Sequence, residues 1–405
     1  MIAHSLPLTR RRGLSVLEVT TGTVFLLVGV TSLGASQPRL VSNLVITDVA
    51  VFAVIVTWLI HVLQDTSRSQ REAGRLVVPL TLIFGGSLIA ATHVGIRGFV
   101  IDDLTRDVGV FCSFLAVLDI LRRSRPEVLR WVLGAAMVAV TLLTVSLLLD
   151  NTLRGRASFP NPNIPAHLLS CAVLLFAVMP RSRRVRVVMV AVALVGLYRT
   201  GSFGATLQLL VAGGYLLITW VCGHTRTRER LRVAFFGTLI VITLATIFGV
   251  NSYINRPAAK QESGLSAARL DRSGSTRFKV WEDAFTNFAD HPLGTGPGSS
   301  RGLSLLELAT ETHNEPLSYL SERGAIAFAG LMLLWVTVWR FTRQGGLARA
   351  LFCGYLVASC FRETMHYRHW WIFLPIAMVF DERRAALEPA PASHGPVAEL
   401  VPVER

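Results

Sequence analysis

The sequence predicts an all-α integral membrane protein of about twelve transmembrane helices, with one large external loop containing short helices. Three observations lead there. Apolar residues make up 52% of the 405-residue chain and charged residues only 16%. The apolar residues fall in blocks of about 20, the length a helix needs to cross a bilayer. Short arginine-rich links separate the blocks, and one polar segment of 62 residues, Asn251 to Thr312, interrupts them.

In chain order the spans are expected near 14–34, 43–63, 76–96, 104–121, 129–149, 165–180, 185–199, 203–223, 231–250, 316–339, 347–361 and 370–380. The seventh and twelfth are short for a crossing and are expected to be tilted, broken or re-entrant. The chain then divides into residues 1–250 with spans one to nine, an extracytoplasmic loop 251–312, residues 313–384 with spans ten to twelve, and a tail 385–405. The tail is rich in Pro and Ala and reads as disordered. The basic N-terminus followed by an apolar stretch has the layout of a signal sequence, and the further spans behind it favour a retained anchor.

A formal net charge of +14 would point to nucleic acid in a soluble chain. Here the cations sit between apolar blocks, so bilayer orientation accounts for them and no nucleic-acid partner is expected. Alternate links hold 24 of the 40 basic residues, among them Arg10 to Arg12, Arg122, Arg123, Arg226, Arg228, Arg340 and Arg383. The short links of the other set hold 8: Arg39, Arg97, Arg106, Arg154, Arg156, Arg199, Arg362 and Arg368. The richer set faces the cytoplasm, and both termini with it. The remaining 8 lie in or just after the long segment, and long loops translocate regardless of charge. The cysteines fall within predicted spans without a C-x-x-C pair, which reads as packing rather than a disulfide framework or a zinc site.

Four pieces of the expected outer face carry polar residues that insertion alone does not require. In "RGRASFPNPNIPAH", Arg154 to His167, prolines and asparagines break helical structure, and Pro165 fits the first turn of the next helix. The second piece, "YRTGSFGA", is a tight turn with Arg199 at the membrane boundary, where a snorkelling cation is equally natural. Within the large loop, Phe278, Trp281, Phe285 and Phe288 recur at helical spacing, which predicts an amphipathic helix lying on the bilayer or packed on the spans. Arg277 is expected just before this helix, and His291-Pro292 with Gly294, Gly296 and Gly298 are expected to end it. No G-K-[ST] follows those glycines, so the run is not a phosphate loop. In the fourth piece, "ETHNEPLSYLSERG", Thr312 with Glu315 has capping-box spacing and Pro316 fits an early helical turn. Capping accounts for Thr312, Asn314 and Glu315 but leaves His313, whose ordinary pKa near neutrality suits a proton acceptor.

These pieces, in this order, resemble the O-antigen ligase and polymerase superfamily of bacterial membrane proteins. The family's His, then Asn, Ser or Gln, then nine residues and a Gly is met by His313, Asn314 and Gly324. "RFKVWEDAFTNFADHPLGTGPGS" resembles the family's Arg, aromatic and "hPl-G-G-G" run, and "FPNPNIPAHLL" its Asn-Pro-Asn element. The chain departs at Ser202-Phe203-Gly204, where the family often has Ser-Arg-Gly, and at Ala327, where a second small glycine is expected.

The resemblance implies a membrane glycosyltransferase of the C type, inverting and independent of metal or other cofactor. It would transfer an undecaprenyl-diphosphate-linked oligo- or polysaccharide to a glycolipid or glycan acceptor on the outer face of the cytoplasmic membrane. His313 would be the base and Arg277 the main diphosphate ligand. Arg199 would be a weaker ligand, Asn314 and Glu315 orienting neighbours, and Arg156 and Arg362 reserve cations. Arg forks bind phosphate oxygens through paired charge-assisted hydrogen bonds, and an attacking hydroxyl must surrender its proton. The same motifs fit a polymerase that extends carrier-linked repeats. A transporter or flippase remains the rival of another class; it requires ionisable residues inside spans, where Glu18, Asp48, His93, Asp107 and Asp119 are the available ones. A glycan-binding protein without turnover is the third reading.

Overall fold

The computed structural model describes residues 16–33, 46–64, 69–94, 98–150, 155, 157, 159, 161–222, 267–299, 313–342 and 346–387. Among them there are twelve helices and no strand. These are α1 Val16–Ser32, α2 Ile46–Gln64, α3 Ser69–Val94, α4 Gly98–Arg123, α5 Pro126–Leu149, α6 Asn163–Val178, α7 Arg183–Thr200, α8 Phe203–Cys222, α9 Ala267–Asp290, α10 Glu315–Phe341, α11 Gly346–Ser359 and α12 Arg368–Leu387. All but α9 fall on predicted spans, while the predicted span 231–250 lies outside the described residues. Among the described residues three stretches are long and apolar enough to cross a membrane: Gly74–His93, Pro126–Leu149 and Glu315–Phe341. Shorter apolar helices accompany them, and large apolar side chains such as Phe52, Leu88, Leu142 and Leu210 point outward. Outward-facing apolar side chains on helical backbone are what a lipid solvent selects, since a helix satisfies its main-chain polar groups internally except at its ends and breaks.

The boundaries follow local chemistry. Pro126 opens α5, where its missing N–H costs nothing. Ser182 caps α7, and Gly201, at φ 56°, closes it with a left-handed turn that returns its N–H to the Tyr198 carbonyl. α7 and α12 run to 18 and 20 residues, longer than the 185–199 and 370–380 expected, and α12 carries Pro375 inside it. α12 also continues to Leu387, into the segment read as a disordered tail.

The tightest pairing joins α3 and α10, antiparallel, through small residues. A Cβ on Gly86 would lie 2.5 Å from the backbone nitrogen of Ala327, and one on Gly330 would lie 2.8 Å from that of Ile83. Such backbone contact is how helices gain packing energy in lipid, where the hydrophobic effect supplies none between them. Ala327, in place of the family's second glycine, is accommodated because its partner here is a glycine.

α10 is two helical pieces hinged at Gly324, which adopts φ 77°, ψ 177°. The loop His291–Ser299 fills the break. Thr295 and Gly296 N–H donate to the Ser321 and Glu322 carbonyls at 3.2 and 2.7 Å, and Ala325 N–H donates to the Pro292 carbonyl at 3.0 Å. A Cβ on Gly324 would meet the Leu293 carbonyl oxygen at 2.4 Å. Only glycine populates this backbone region, at a penalty of about 1–3 kcal/mol for other residues. Gly324→Ala is therefore expected to lose at least that much stability and to release the loop. The drop in thermal denaturation midpoint of the purified protein in detergent would show it; an unchanged midpoint would contradict this docking.

Two ends of the bundle differ in their polar residues. At one, Arg122 of α4 forms an ion pair with Glu382 of α12, and Arg383 donates to the Leu121 and Ser124 carbonyls at 2.6 and 2.9 Å. Arg75 lies over the Phe341 ring and Arg349 over that of Trp339 at the same end. These arginines belong to the richer set of links. The opposite end gathers the four sequence pieces.

Candidate active site

The Asn-Pro-Asn element shapes the start of α6. Asn161 Oδ1 accepts from the Asn163 N–H at 2.9 Å, and Asn163 Oδ1 accepts from the Ser202 hydroxyl at 2.9 Å, tying this element to the turn between α7 and α8. Pro165 sits in the first turn of α6, as expected. Two residues past Ser202, a Cβ on Gly204 would lie 3.7 Å from Phe361 and 3.8 Å from the His167 ring. The turn thus abuts the loop Cys360–Tyr367 that joins α11 to α12. Arg199 is committed nearby: its guanidinium donates to the Asp150 carbonyl at 2.6 Å, and its own carbonyl accepts from the Gly155 N–H at 3.0 Å. It braces the link from α5 to α6.

The amphipathic helix of the large loop is α9, 24 residues long rather than short. Arg277, expected before the helix, lies within it, because helical backbone extends back to Ala267; the Arg277 side chain is outside the described residues, as is Arg156. α9 packs on α10, with Ala284 buried and Asn287 donating to the Ser321 carbonyl at 3.3 Å. Phe285 is exposed, so the aromatic stripe is not wholly turned inward. The helix ends at Asp290 and the His291–Gly298 turn follows, as expected. Its Gly298 N–H donates to the Glu322 carboxylate at 2.7 Å, so this amide, like those of Thr295 and Gly296, serves docking rather than anion binding.

His313 stands immediately before α10 in a left-handed conformation, φ 50°. The cap of α10 is Asn314, not Thr312, which lies outside the described residues. Asn314 Oδ1 accepts from the Leu317 N–H at 3.1 Å, and its amide nitrogen donates to the Cys360 carbonyl at 3.1 Å. Glu315 is buried and reaches the same loop. One carboxylate oxygen accepts from the Tyr355 hydroxyl at 2.8 Å; the other accepts from the Thr364 N–H and hydroxyl and the Met365 N–H at 2.8–3.0 Å. Tyr355 is fixed in turn by Trp370 and Trp371 of α12, with ring centroids at 5.2 and 6.0 Å. Capping does not describe Glu315: its carboxylate anchors the loop.

That anchoring has one chemical consequence. It places the Arg362 guanidinium 3.5 Å from His313 Nδ1, while Arg362 Nε donates to the Tyr367 hydroxyl at 3.0 Å. Both side chains are partly exposed. An imidazole and a guanidinium thus share one partly exposed spot at one end of the bundle, a combination that can draw a proton from a nucleophile while offsetting charge on a leaving group.

Behind this spot lies a cluster that sequence reading left unconnected. Arg323 of α10 pairs with Asp107 of α4, contacts Asp103 at 3.1 Å and lies over the Tyr319 ring at 4.5 Å. The other Asp107 oxygen meets His366 Nε2 at 2.9 Å. Asp107 stood among the in-span ionisable residues, but Asp103, Arg323, His366 and Tyr367 were missed. The polar density of "CFRETMHYRHW" between two apolar blocks was the available signal for the loop.

The described helices and these groups define a helical membrane protein with a polar site at one end of its bundle. Residues 187–332 match the family model described as O-antigen ligase. The match bears out the resemblance to the O-antigen ligase and polymerase superfamily, whose activity in general it supports; it takes in Arg199, Arg277 and His313 to Gly324, and stops short of Arg362. No curated protein matches the chain.

Proposed function

We propose that this protein is an inverting, metal-independent membrane glycosyltransferase of the C type. Its donor is an undecaprenyl-diphosphate-linked glycan and its acceptor a glycolipid or a second carrier-linked glycan. In this reading twelve spans place the His313 end on the outer face of the cytoplasmic membrane and both termini inside, as the arginine asymmetry favours. The observation that carries the proposal is the approach of Arg362 to His313 at the start of α10, beside the Asn-Pro-Asn, turn and glycine-run segments.

The acceptor hydroxyl attacks the anomeric carbon as His313 takes its proton. The bond to the carrier oxygen breaks, and its electron pair leaves with the diphosphate. Arg362 and Arg277 stabilise the charge that grows there, with Arg156 and Arg199 as reserve ligands; Arg199 contributes least because its guanidinium braces the Asp150 carbonyl. Asn314 and Glu315 orient His313 and Arg362 through the loop.

Arg362→Ala and Arg277→Ala are each expected to slow transfer about 10²–10³-fold, and Arg199→Ala far less. Carrier-linked glycan in a deletion strain complemented with each variant reads this out. Its chain length on a gel separates the two acceptors, since a failed polymerase leaves single repeats and a failed ligase leaves long chains on the carrier. Wild-type transfer by both Arg362→Ala and Arg277→Ala would overturn the proposal.

A further inference from the structure

Buried ionic groups in a membrane bundle are costly and, where they persist, mark function more often than stability. The cluster between α4 and α10 holds two carboxylates, Asp103 and Asp107, and the guanidinium of Arg323, all buried. One Asp107 oxygen is held by Arg323 and the other by His366, which comes from the loop and not from the bundle. The loop is otherwise tied at Cys360 by Asn314 and at Thr364–Met365 by Glu315. Next after His366 comes Tyr367, whose hydroxyl takes the Arg362 Nε donor. A continuous path therefore runs from the buried Arg323 and Asp107 through His366 and Tyr367 to Arg362 and His313.

We propose that Asp107 and His366 are positioning residues for the transfer reaction, and that the contact between His366 Nε2 and the Asp107 carboxylate fixes the far end of the loop so that Arg362 faces His313. This rests on the glycosyl-transfer reading of the site. Asp107 serves because Arg323 holds its carboxylate in a single orientation, and Asp103 shares that arginine; neither carboxylate touches the reacting groups.

The test uses the full-length protein reconstituted in lipid vesicles. Its substrate is the carrier-linked glycan extracted from membranes of a deletion strain. His366→Ala is expected to lower the transfer rate roughly 10- to 100-fold, the scale of a displacement of about 1 Å at a reacting centre. His366→Gln, whose side-chain amide can still donate to Asp107, is expected to recover most of that rate. The double variant with Arg362→Ala is expected to be no slower than Arg362→Ala alone, because both act through the same guanidinium. Asp107→Asn serves as the second variant, with the same predicted loss at normal membrane level. Wild-type rates for His366→Ala, a Gln variant no better than the Ala variant, or additive losses in the double variant would each overturn the inference. Full activity of His313→Ala would instead overturn the reading on which it rests.

Discussion

His313→Ala is expected to leave normal amounts of protein in the membrane and to lower glycan transfer about 10²–10⁴-fold, the range for loss of a positioned general base. The stability half of the prediction follows from where the residue sits. His313 precedes the cap rather than serving as it, it is only partly buried, and the bonds that fasten α10 to the neighbouring loop belong to Asn314 and Glu315. Its left-handed backbone is a cost that the surrounding structure must sustain, and side chains held that way cluster at functional sites. The activity half follows from Arg362, whose guanidinium lies 3.5 Å from His313 Nδ1 and would offset charge on a leaving group beside it. Carrier-linked glycan should accumulate in the complemented deletion strain. Normal acceptor-linked glycan at normal protein levels would remove His313 from the chemistry.

Glu315→Ala is expected to fail in a different way, by losing the protein. The truncation strands the Tyr355 hydroxyl, the Thr364 hydroxyl and two backbone N–H groups in a buried place. Each unsatisfied group costs about 1–3 kcal/mol, and their sum rivals the 5–15 kcal/mol that typically holds a domain together. Glu315→Gln separates shape from charge. Its carbonyl oxygen can still accept from Thr364 and Met365, and its NH2 can donate to a Tyr355 hydroxyl that turns to accept. Near-normal membrane levels with transfer within about tenfold of wild type are expected for Gln, against strongly reduced levels for Ala, by immunoblot of membranes. Equal levels for both would contradict the anchoring role.

The architecture was largely legible because lipid imposes a simple code: apolar blocks of fixed length between arginine-rich links predicted the position of every described helix except α9 in the spans, and α9 was itself anticipated from its aromatic spacing. Segment ends were less legible, since α7, α9 and α12 each run past the apolar or aromatic residues that mark them. Gly324 was readable as part of a motif, but its reason was not: only the docked Leu293–Gly296 backbone shows why a side chain there is excluded. The site divides the same way. His313, Asn314 and Glu315 are contiguous and could be singled out, whereas the approach of Arg362 depends on a loop 49 residues away in sequence. Arg323 and Asp103 were hidden for a further reason. Paired inside the bundle, a cation near a helix start looks in sequence like one more boundary arginine.

The central claim is that the His313–Arg362 end breaks the bond between glycan and carrier diphosphate. The measurement that tests it most directly is release of undecaprenyl diphosphate from carrier-linked glycan by the purified protein in lipid vesicles, followed together with appearance of glycan on the acceptor. Wild-type protein should release carrier in step with transfer, and His313→Ala should release almost none. Glycan that crosses or binds the vesicle with its carrier still attached, or equal release by His313→Ala, would contradict it.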